Sequence, residues 1–313
     1  MPLLYSIEEH KKDKHKYVMI TGFEGSVSNL VVPSEIEGYP VEAIGNHAFS
    51  GRQDLISVTL PGSIKTLFGF AFHNCRKLRK IALFDSIDDY YDGVCRQCDS
   101  LKEVEITMAR GWYEVVRNFL ADNDRTLRFV LRISDGFPDD GGAARPQTTV
   151  LTFPEYVYDF NENTMARTIQ FSIAGSGMFY RECVDRRSID YRQYDRLFEK
   201  AVIDGGEISE DIAMGRLLYP VELSDDARKA YEDYIIENGA GILTRLVETS
   251  EEEPENLATV KALLTYGKEL VAESSVDAAL KLAADKKLTQ MSAVLMDGRR
   301  KGSGGGSPSM FEL

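Results

Sequence analysis

The chain has 313 residues, enough for two compact domains of ordinary size. Its net charge of −13 argues against a nucleic-acid ligand, because affinity for phosphate backbones comes largely from clustered Lys and Arg. No window approaches the roughly eighteen apolar residues of a membrane span, so no membrane partner is expected.

The first residues lack the basic start and apolar core of a secretory signal, so a cytoplasmic location is expected. The basic run H-K-K-D-K-H-K at residues 10–16 adjoins acidic residues and is predicted to be a solvated segment. In a reducing compartment the four cysteines would be free thiols rather than a disulfide framework.

Apolar residues then recur with a period of 23 residues, first visible in Leu55, Leu78 and Leu101. Upstream, Leu30 matches Val58 once five extra residues are allowed for a turn. The columns that keep this period are Val58, Ile81 and Val104; Leu60, Leu83 and Ile106; and Ile44, Leu67 and Tyr90.

Each unit combines a short alternating strand, such as S-V-T-L at 57–60, with a turn and a second apolar segment. One unit cannot bury its apolar face alone, so the units are predicted to stack into a solenoid with a continuous core. With Val58 and Leu60 facing inward, the neighbouring side chains face outward. The predicted partner-binding face consists of Ser57, Thr59, Lys80, Ala82, Glu103 and Glu105.

The stretch I-G-N-H-A-F-S-G-R-Q-D-L-I-S-V-T-L-P-G-S-I at residues 44–64 closely resembles the BspA-like type of leucine-rich repeat. That pattern reads roughly I-G-x-x-A-F-x-x-C-x-x-L-x-x-V-x-I-P. The resemblance covers about residues 17–110 and implies a leucine-rich-repeat β-solenoid. It also implies that Cys75 and Cys98 are small buried residues near a turn.

Cys95 and Cys98 form a C-x-x-C pair, with His73 and Cys75 upstream. In the repeat register Cys98 falls on Cys75 and Cys95 on Phe72, which favours ordinary buried positions. A zinc site formed by His73 and the three cysteines stays open, since adjacent turns would place Cys75 and Cys98 about 5 Å apart. A redox pair is disfavoured, because this C-x-x-C precedes a strand rather than a helix.

The segment F-D-S-I-D-D-Y-Y-D-G at residues 84–93 carries four aspartates. Their spacing lacks the alternating ligands and central glycine of an EF-hand calcium loop. It predicts instead a turn in which Asp side chains bond to the backbone.

Beyond the repeats, the pattern predicts a helix at 110–121 and a strand at 127–133. A loop rich in Gly and Asp follows at 134–146, and V-L-T-F-P at 150–154 is interpreted as one more repeat strand. Residues 107–180 are therefore predicted to be a degenerate final repeat, a helix insertion and a β-rich cap.

Helical periodicity begins near residue 190 and predicts helical hairpins with short connectors. The dipeptide Asn238-Gly239 predicts a helix end. The block at 275–297 resembles the helix pair of ankyrin-type repeats, although the T-P-L-H signature is missing. The predicted helices are 190–203, 208–219, 224–238, 240–249, 254–266, 274–286 and 288–298.

The predicted fold class is α+β: a leucine-rich-repeat β-solenoid with a degenerate cap at 1–180, an all-α helical-hairpin domain at 181–300 and a flexible tail at 301–313. With Y-D-R-L-F at 194–198, this order is similar to a family of cytoplasmic leucine-rich repeat proteins from gut Firmicutes. The Gly/Ser-rich tail is either native or an added linker. Its apolar end is a candidate docking motif, formed by Met310, Phe311, Glu312 and Leu313.

The chain contains no G-x-S-x-G, H-E-x-x-H, Walker loop or dinucleotide fingerprint, and A-G-S-G-M at 174–178 is predicted to be a turn. We therefore expect a non-enzymatic protein-interaction scaffold with no catalytic residues, no metal and no cofactor. The acidity of the helical domain suggests a basic protein partner. The alternative is a structural or assembly component of a larger bacterial complex.

Overall fold

The structure, a computed structural model, describes residues 3–133, 147–163, 168–266 and 269–302. The predicted loop at 134–146 and the tail from residue 303 onward, including Met310–Leu313, lie outside the described residues. Within the described part, no helix combines the length and the apolarity needed to cross a bilayer.

Fourteen strands and nine helices follow one another along the described residues. The strands are β1 (Leu3–Glu9), β2 (Lys16–Phe23), β3 (Asn29–Val31), β4 (Glu35–Ile36), β5 (Tyr39–Ile44), β6 (Ser57–Thr59), β7 (Thr66–Leu67), β8 (Lys80–Phe84), β9 (Asp89–Tyr90), β10 (Glu103–Met108), β11 (Leu127–Ile133), β12 (Gln147–Phe153), β13 (Val157–Asn163) and β14 (Thr168–Ala174). The helices are α1 (Glu114–Asp122), α2 (Gly177–Arg181), α3 (Tyr191–Arg196), α4 (Phe198–Asp204), α5 (Glu207–Leu218), α6 (Asp225–Glu248), α7 (Asn256–Leu264), α8 (Glu273–Asp285) and α9 (Thr289–Gly302).

The repeat strands form a sheet in the order β12-β11-β10-β8-β6-β3, and β3 to β11 run parallel. Its register reproduces the sequence period, since Val58 pairs with Ile81 and Ile81 with Val104. The offset match upstream is also confirmed, because Leu30 pairs with Val58. The predicted solenoid is therefore confirmed strand by strand.

The second apolar segment of each unit builds another sheet, in the order β1-β2-β5-β7-β9. Ile44 pairs with Leu67 and Leu67 with Tyr90, as the third sequence column predicts. Leu55, Leu78 and Leu101 are buried, at no more than 3% exposure. The apolar columns therefore form one continuous core, because each rung covers the apolar face of its neighbour.

Three successive units each turn through two backbone positions with positive φ. The first is occupied by His47, Phe70 and Gly93, at φ of 55°, 58° and 70°. The second is occupied by Gly51, Asn74 and Gln97, at 73°, 58° and 62°. L-residues adopt this left-handed region reluctantly, so packing between rungs holds those positions.

The strand β12 runs in a different direction from the one that its sequence predicts. Residues 150–154 were expected to form another repeat strand, but β12 pairs antiparallel with β11. The hydroxyl of Tyr194 on α3 donates to the carbonyl of Thr152 at 2.6 Å and accepts from its N–H at 3.0 Å. One side chain thus satisfies both edge groups of Thr152, as a protected sheet edge requires.

The chain divides into two compact units, Met1–Ser209 and Glu210–Leu313. The boundary predicted at residues 180 and 181 lies earlier in the chain than this division. Arg181 links α2 to the end of the repeat region: its guanidinium donates to the carbonyls of Asn123 at 3.1 Å and Arg125 at 3.0 Å.

The helical unit differs from the prediction at one point. Helices predicted at 224–238 and 240–249 are one continuous helix, α6. A Cβ on Gly239 would lie 3.3 Å from the carbonyl oxygen of Leu270, so this glycine permits a close approach instead of ending the helix. The predicted start is confirmed, since the Ser224 hydroxyl accepts from the Ala227 N–H at 3.3 Å.

Near residue 190 the observed helices differ from the predicted ones in two further ways. The helix predicted at 190–203 is divided into α3 and α4, and the predicted turn at 174–178 leads directly into the short helix α2.

In the second unit, α8 packs against α6 and α9, and α7 packs against α9. The predicted all-α character of this part of the chain is confirmed.

Candidate protein-interaction surface

The six predicted contact residues lie on three adjacent strands of the repeat sheet. Ser57, Lys80 and Glu103 are paired in one row across β6, β8 and β10. Thr59, Ala82 and Glu105 are paired in the next row. Residues between them, such as Ile81, are buried, so all six side chains face away from the core. We call these six residues the sheet face.

One end of the sheet face is uncharged. The Ser57 hydroxyl donates to the side-chain oxygen of Asn29 at 2.7 Å, and Thr59 is exposed. Beyond Thr59 the same row continues to Val31, which pairs with it and is 65% exposed. This end therefore offers a small apolar and hydroxyl surface.

The other end is a ladder of ion pairs. Lys80 Nζ lies 2.8 Å from Glu103 Oε1 and 2.8 Å from Glu105 Oε2. Glu103 also pairs with Arg128, and Glu105 Oε1 accepts from Arg132 Nε at 2.5 Å. The five charges alternate across β8, β10 and β11, which orients long side chains that would otherwise be free to rotate.

The ladder alters the ionisation of its members. Partial burial opposes ionisation of Glu105, but hydrogen bonds from Arg132 and Lys80 outweigh it and hold its pKa below the usual value. Partial burial likewise lowers the pKa of Lys80, but its bonds to Glu103 and Glu105 outweigh that effect and raise it. Both groups are therefore charged at neutral pH.

Sequence reasoning missed Arg128 and Arg132, although they complete the ladder. The period lengthens at the last rung, where Glu103 pairs with Arg128, 25 residues later, instead of with a residue 23 later. The available signal was the pair of arginines in L-R-F-V-L-R, four residues apart and therefore on the same face of a strand. The exposed surface that continues from the sheet face ends at β11, because Val130 on that strand is only 7% exposed.

The cysteines are buried and free, as predicted. The thiol of Cys75 donates to the carbonyl of Phe49 and that of Cys98 to the carbonyl of Phe72, both at 3.1 Å. Burial raises the pKa of Cys75 to about 12 and raises that of Cys95 as well. A protonated, buried thiol, such as that of Cys75 or Cys95, is a poor nucleophile and a poor metal ligand.

The zinc hypothesis for these cysteines is not supported. His73, Cys75, Cys95 and Cys98 do not bring three donor atoms to one point, as a zinc site requires. The only such group among the described residues lies elsewhere, in the hairpin between β1 and β2.

The aspartate segment forms a turn, as predicted. The buried carboxylate of Asp85 accepts from the backbone N–H groups of Ala109, Arg110 and Trp112, at 2.8, 2.7 and 3.1 Å. Asp88 instead pairs with the Arg110 side chain at 2.8 Å. Asp85 thereby satisfies the hydrogen-bond donors of the backbone segment that follows the last complete rung.

The helical unit offers a second candidate surface. It is an open groove of about 300 Å³ between the end of α6, the start of α7 and the start of α9. Its lining residues include Ser250, Pro254, Leu257, Lys287, Leu288 and Met291. The groove is small for a folded partner and large enough for a few side chains.

Residues 24–112 match the sequence profile of the BspA type leucine rich repeat region, in six copies. No curated protein sequence matches the chain. Leucine-rich repeat proteins are commonly protein-interaction modules and are typically non-enzymatic.

Several solved structures are similar to the repeat part. A leucine rich cell surface protein from Faecalibacterium prausnitzii A2-165 is 21% identical over 34% of this chain and 31% of its own, with a TM-score of 0.28. A leucine-rich repeat protein from Bacteroides capillosus is 24% identical over 33% of this chain and 77% of its own, also at 0.28. The T. pallidum leucine rich repeat protein is 22% identical over 33% and 68%, at 0.24.

The chain spans about a third of the length of the F. prausnitzii protein. The 23-residue columns, the parallel register of β3 to β10 and the profile match all identify the same segment. Residues 24–112 are therefore a leucine-rich repeat region of the BspA type.

Proposed function

We propose that this protein is a non-enzymatic scaffold that binds a protein partner through the sheet face. The observation that carries the proposal is the ion-pair ladder beside an uncharged end. Lys80 contacts both Glu103 and Glu105, so the charged side chains are already held in one arrangement before a partner arrives. A face organised in advance loses less conformational entropy on binding than a flexible one.

The charge of the sheet face indicates how the partner is recognised. Within the ladder three cations surround two carboxylates, in a chain whose net charge is −13. Such a mixed face favours a partner with matching polar groups of both signs. The proposed basic character of the partner concerns the helical unit instead, where residues 210–302 contain 18 Asp and Glu against 12 Lys and Arg.

A substitution that blocks the sheet face tests the proposal. Thr59→Arg places a large cation at an exposed position at the uncharged end of the face, and Thr66→Arg makes the same change on β7 of the other sheet. A protein captured from host lysate by wild type and by T66R, but recovered in at least tenfold lower amount with T59R, would support binding through the sheet face. Purified candidates are then titrated against all three proteins by calorimetry. Equal affinity for T59R and T66R would overturn the proposal.

The candidate tail motif needs a separate comparison. We propose that Met310–Leu313 adds a docking motif, on the strength of its apolar side chains in a Gly/Ser-rich segment. The same capture with and without residues 302–313 tests this. Identical captured proteins would remove the tail from the proposal without affecting the sheet face.

A structural or assembly role is the second candidate, and the strand β1 favours it. This strand lies at the edge of its sheet, pairs only with β2 in the described structure, and exposes 43% of Leu4 and 42% of Ile7. Such an edge can pair with another chain. Light scattering after size-exclusion chromatography separates the two roles. Oligomers that grow with concentration and disappear in Ile7→Lys would support assembly.

The cellular compartment also remains a proposal. We propose a reducing, cytoplasmic location, supported by four cysteines that are all buried and free. Cell fractionation with an antibody against the purified protein tests it, and recovery from the medium or the envelope would contradict it.

A further inference from the structure

The hairpin between β1 and β2 brings two histidines and an aspartate together. The backbone N–H of His10 donates to the carbonyl of His15 at 2.9 Å, and the N–H of Lys14 donates to the carbonyl of His10 at 3.0 Å. Lys14 takes a φ of 61°, which lets the chain reverse. The imidazole rings of His10 and His15 consequently stack, with centroids 5.2 Å apart and planes inclined by 16°.

Three donor atoms converge on one side of this turn. Asp13 Oδ1 lies 3.2 Å from His10 Nδ1 and 2.7 Å from His15 Nδ1. All three ligand-type atoms lie within 4.8 Å of one another. Zinc bonds of about 2.0–2.1 Å in a tetrahedral site put neighbouring ligand atoms about 3.3 Å apart. The contact between His10 and Asp13 already has about this length, and the contact between His15 and Asp13 would need to lengthen by about 0.6 Å.

Glu42 on β5 orients one of the two rings. Its Oε2 lies 2.9 Å from His15 Nε2, and its side chain is only 21% exposed. If Nε2 donates its hydrogen to Glu42, Nδ1 presents a lone pair to the Asp13 carboxylate 2.7 Å away. Two acceptors at that distance require a proton or a metal ion between them. Carboxylate–histidine–metal arrangements of this kind fix the ring and its tautomer.

We propose that His10, Asp13 and His15 form a three-ligand site for a divalent transition metal, with Zn²⁺ as the ion that best matches two imidazoles and one carboxylate. Magnesium and calcium prefer sites made of oxygen atoms alone. The fourth zinc position is open to water, because His10 and Asp13 are exposed.

The neighbouring charges set the strength of the site. Lys11, Lys12, Lys14 and Lys16 lie in the same run and oppose a second positive charge. Lys14 is paired with Glu9 at 3.2 Å, and Asp13 with Glu42 supplies two negative charges around His15. We therefore expect an affinity below that of a four-ligand structural site, in which no cation competes.

Calorimetric titration of the full, tag-free chain with ZnCl₂ at neutral pH tests the site. The expected result is one Zn²⁺ per chain. His10→Asn should weaken binding at least tenfold, and Glu42→Gln by about 10- to 100-fold, because the ring loses its orienting partner. His47→Asn is the matched control: it removes an exposed histidine outside the hairpin and should leave binding unchanged.

Two further measurements keep the test decisive. Circular dichroism checks that each variant is folded, which is expected because His10 and His47 are both exposed. Proton NMR of the histidine ring signals should show His10 and His15, but not His47, shifting with added Zn²⁺. Absence of binding, or equal affinity in the double variant H10N/D13N, would overturn the proposal.

Discussion

The repeat rungs and the cap that follows them, taken here as β11 to α3, are stabilised in different ways. In the rungs, each position such as Leu55 has equivalents in the next two units, and the core grows by addition of similar contacts. In the cap, single side chains each satisfy several backbone groups: Arg181 bonds to two carbonyls beyond α1, and Tyr194 bonds to both edge groups of Thr152. The repeats are therefore stabilised by stacked equivalent side chains, whereas the end of the array is stabilised by a few individual side chains.

The largest effect is expected from the middle of a column. Leu78→Ala removes a buried side chain between equivalent leucines on the two adjacent rungs. We expect unfolding free energy to fall by about 2–5 kcal/mol, from lost burial plus the cavity. Urea denaturation measures it, and Leu4→Ala, at a 43% exposed leucine, is the control. A loss under about 1 kcal/mol would contradict a shared core.

In the cap, Arg181→Met should have the next largest effect. Burial lowers the pKa of Arg181 to about 10, and its guanidinium donates to carbonyls that would lose their partner. Since hydrogen bonds to charged groups contribute about 1.5–3 kcal/mol, we expect a loss near 2–3 kcal/mol. Urea denaturation compares it with Arg187→Met, which changes an exposed arginine nearby. Equal stability of the two variants would refute this role.

Tyr194→Phe isolates one hydroxyl of the cap. The variant keeps the ring but leaves the N–H and carbonyl of Thr152 without their partner. We expect a loss of about 1–2 kcal/mol, and faster hydrogen exchange at Thr152. Tyr219→Phe, at a half-exposed tyrosine of the other unit, serves as the control. Unchanged exchange at Thr152 would show that the hydroxyl does not protect the edge.

A smaller effect is expected at the left-handed backbone positions. A Cβ on Gly51 meets no atom within 4 Å, so Gly51→Ala reports backbone strain alone. At a φ of 73° we expect a loss of about 1 kcal/mol. Gln97→Gly, at the equivalent position, should relieve strain and be neutral or slightly stabilising. If thermal denaturation shows the opposite signs, packing rather than backbone conformation governs these positions.

The smallest effect is expected on the sheet face. Lys80→Met removes the cation shared by Glu103 and Glu105, and exposed pairs of this kind contribute about 0.2–1 kcal/mol. The difference from wild type should shrink at high salt, because screening weakens the pairs already present. A loss above about 2 kcal/mol that does not depend on salt would mean that the ladder is structural rather than available for binding.

The repeat region was predictable because its period is expressed in several columns at once. A stack of equivalent positions such as Leu30, Val58 and Ile81 leaves one parallel register. The direction of β12 was not predictable, because the alternation in V-L-T-F-P fits a parallel and an antiparallel strand equally well. The continuity of α6 was missed because the close approach of Leu270 to Gly239 is a tertiary contact.

The candidate sites, too, include residues that the sequence pattern predicts and residues that only the folded structure brings together. The six residues of the sheet face followed from alternation along strands, whereas Arg128 joins the ladder only because the last rung is longer. The hairpin cluster was missed because His10 and His15 were interpreted as part of a solvated run. Their proximity depends on the β1–β2 turn, which a charge pattern does not reveal.

The two left-handed positions recur at the same place in three successive rungs, which bears on gene rearrangement. Excising one whole block of 23 codons within the array would join equivalent points of adjacent rungs and leave every column aligned. Excising 22 would turn each following side chain to the opposite side of its strand. Array length can therefore vary in whole units, whereas the rung that carries Asp85 must stay next to its cap.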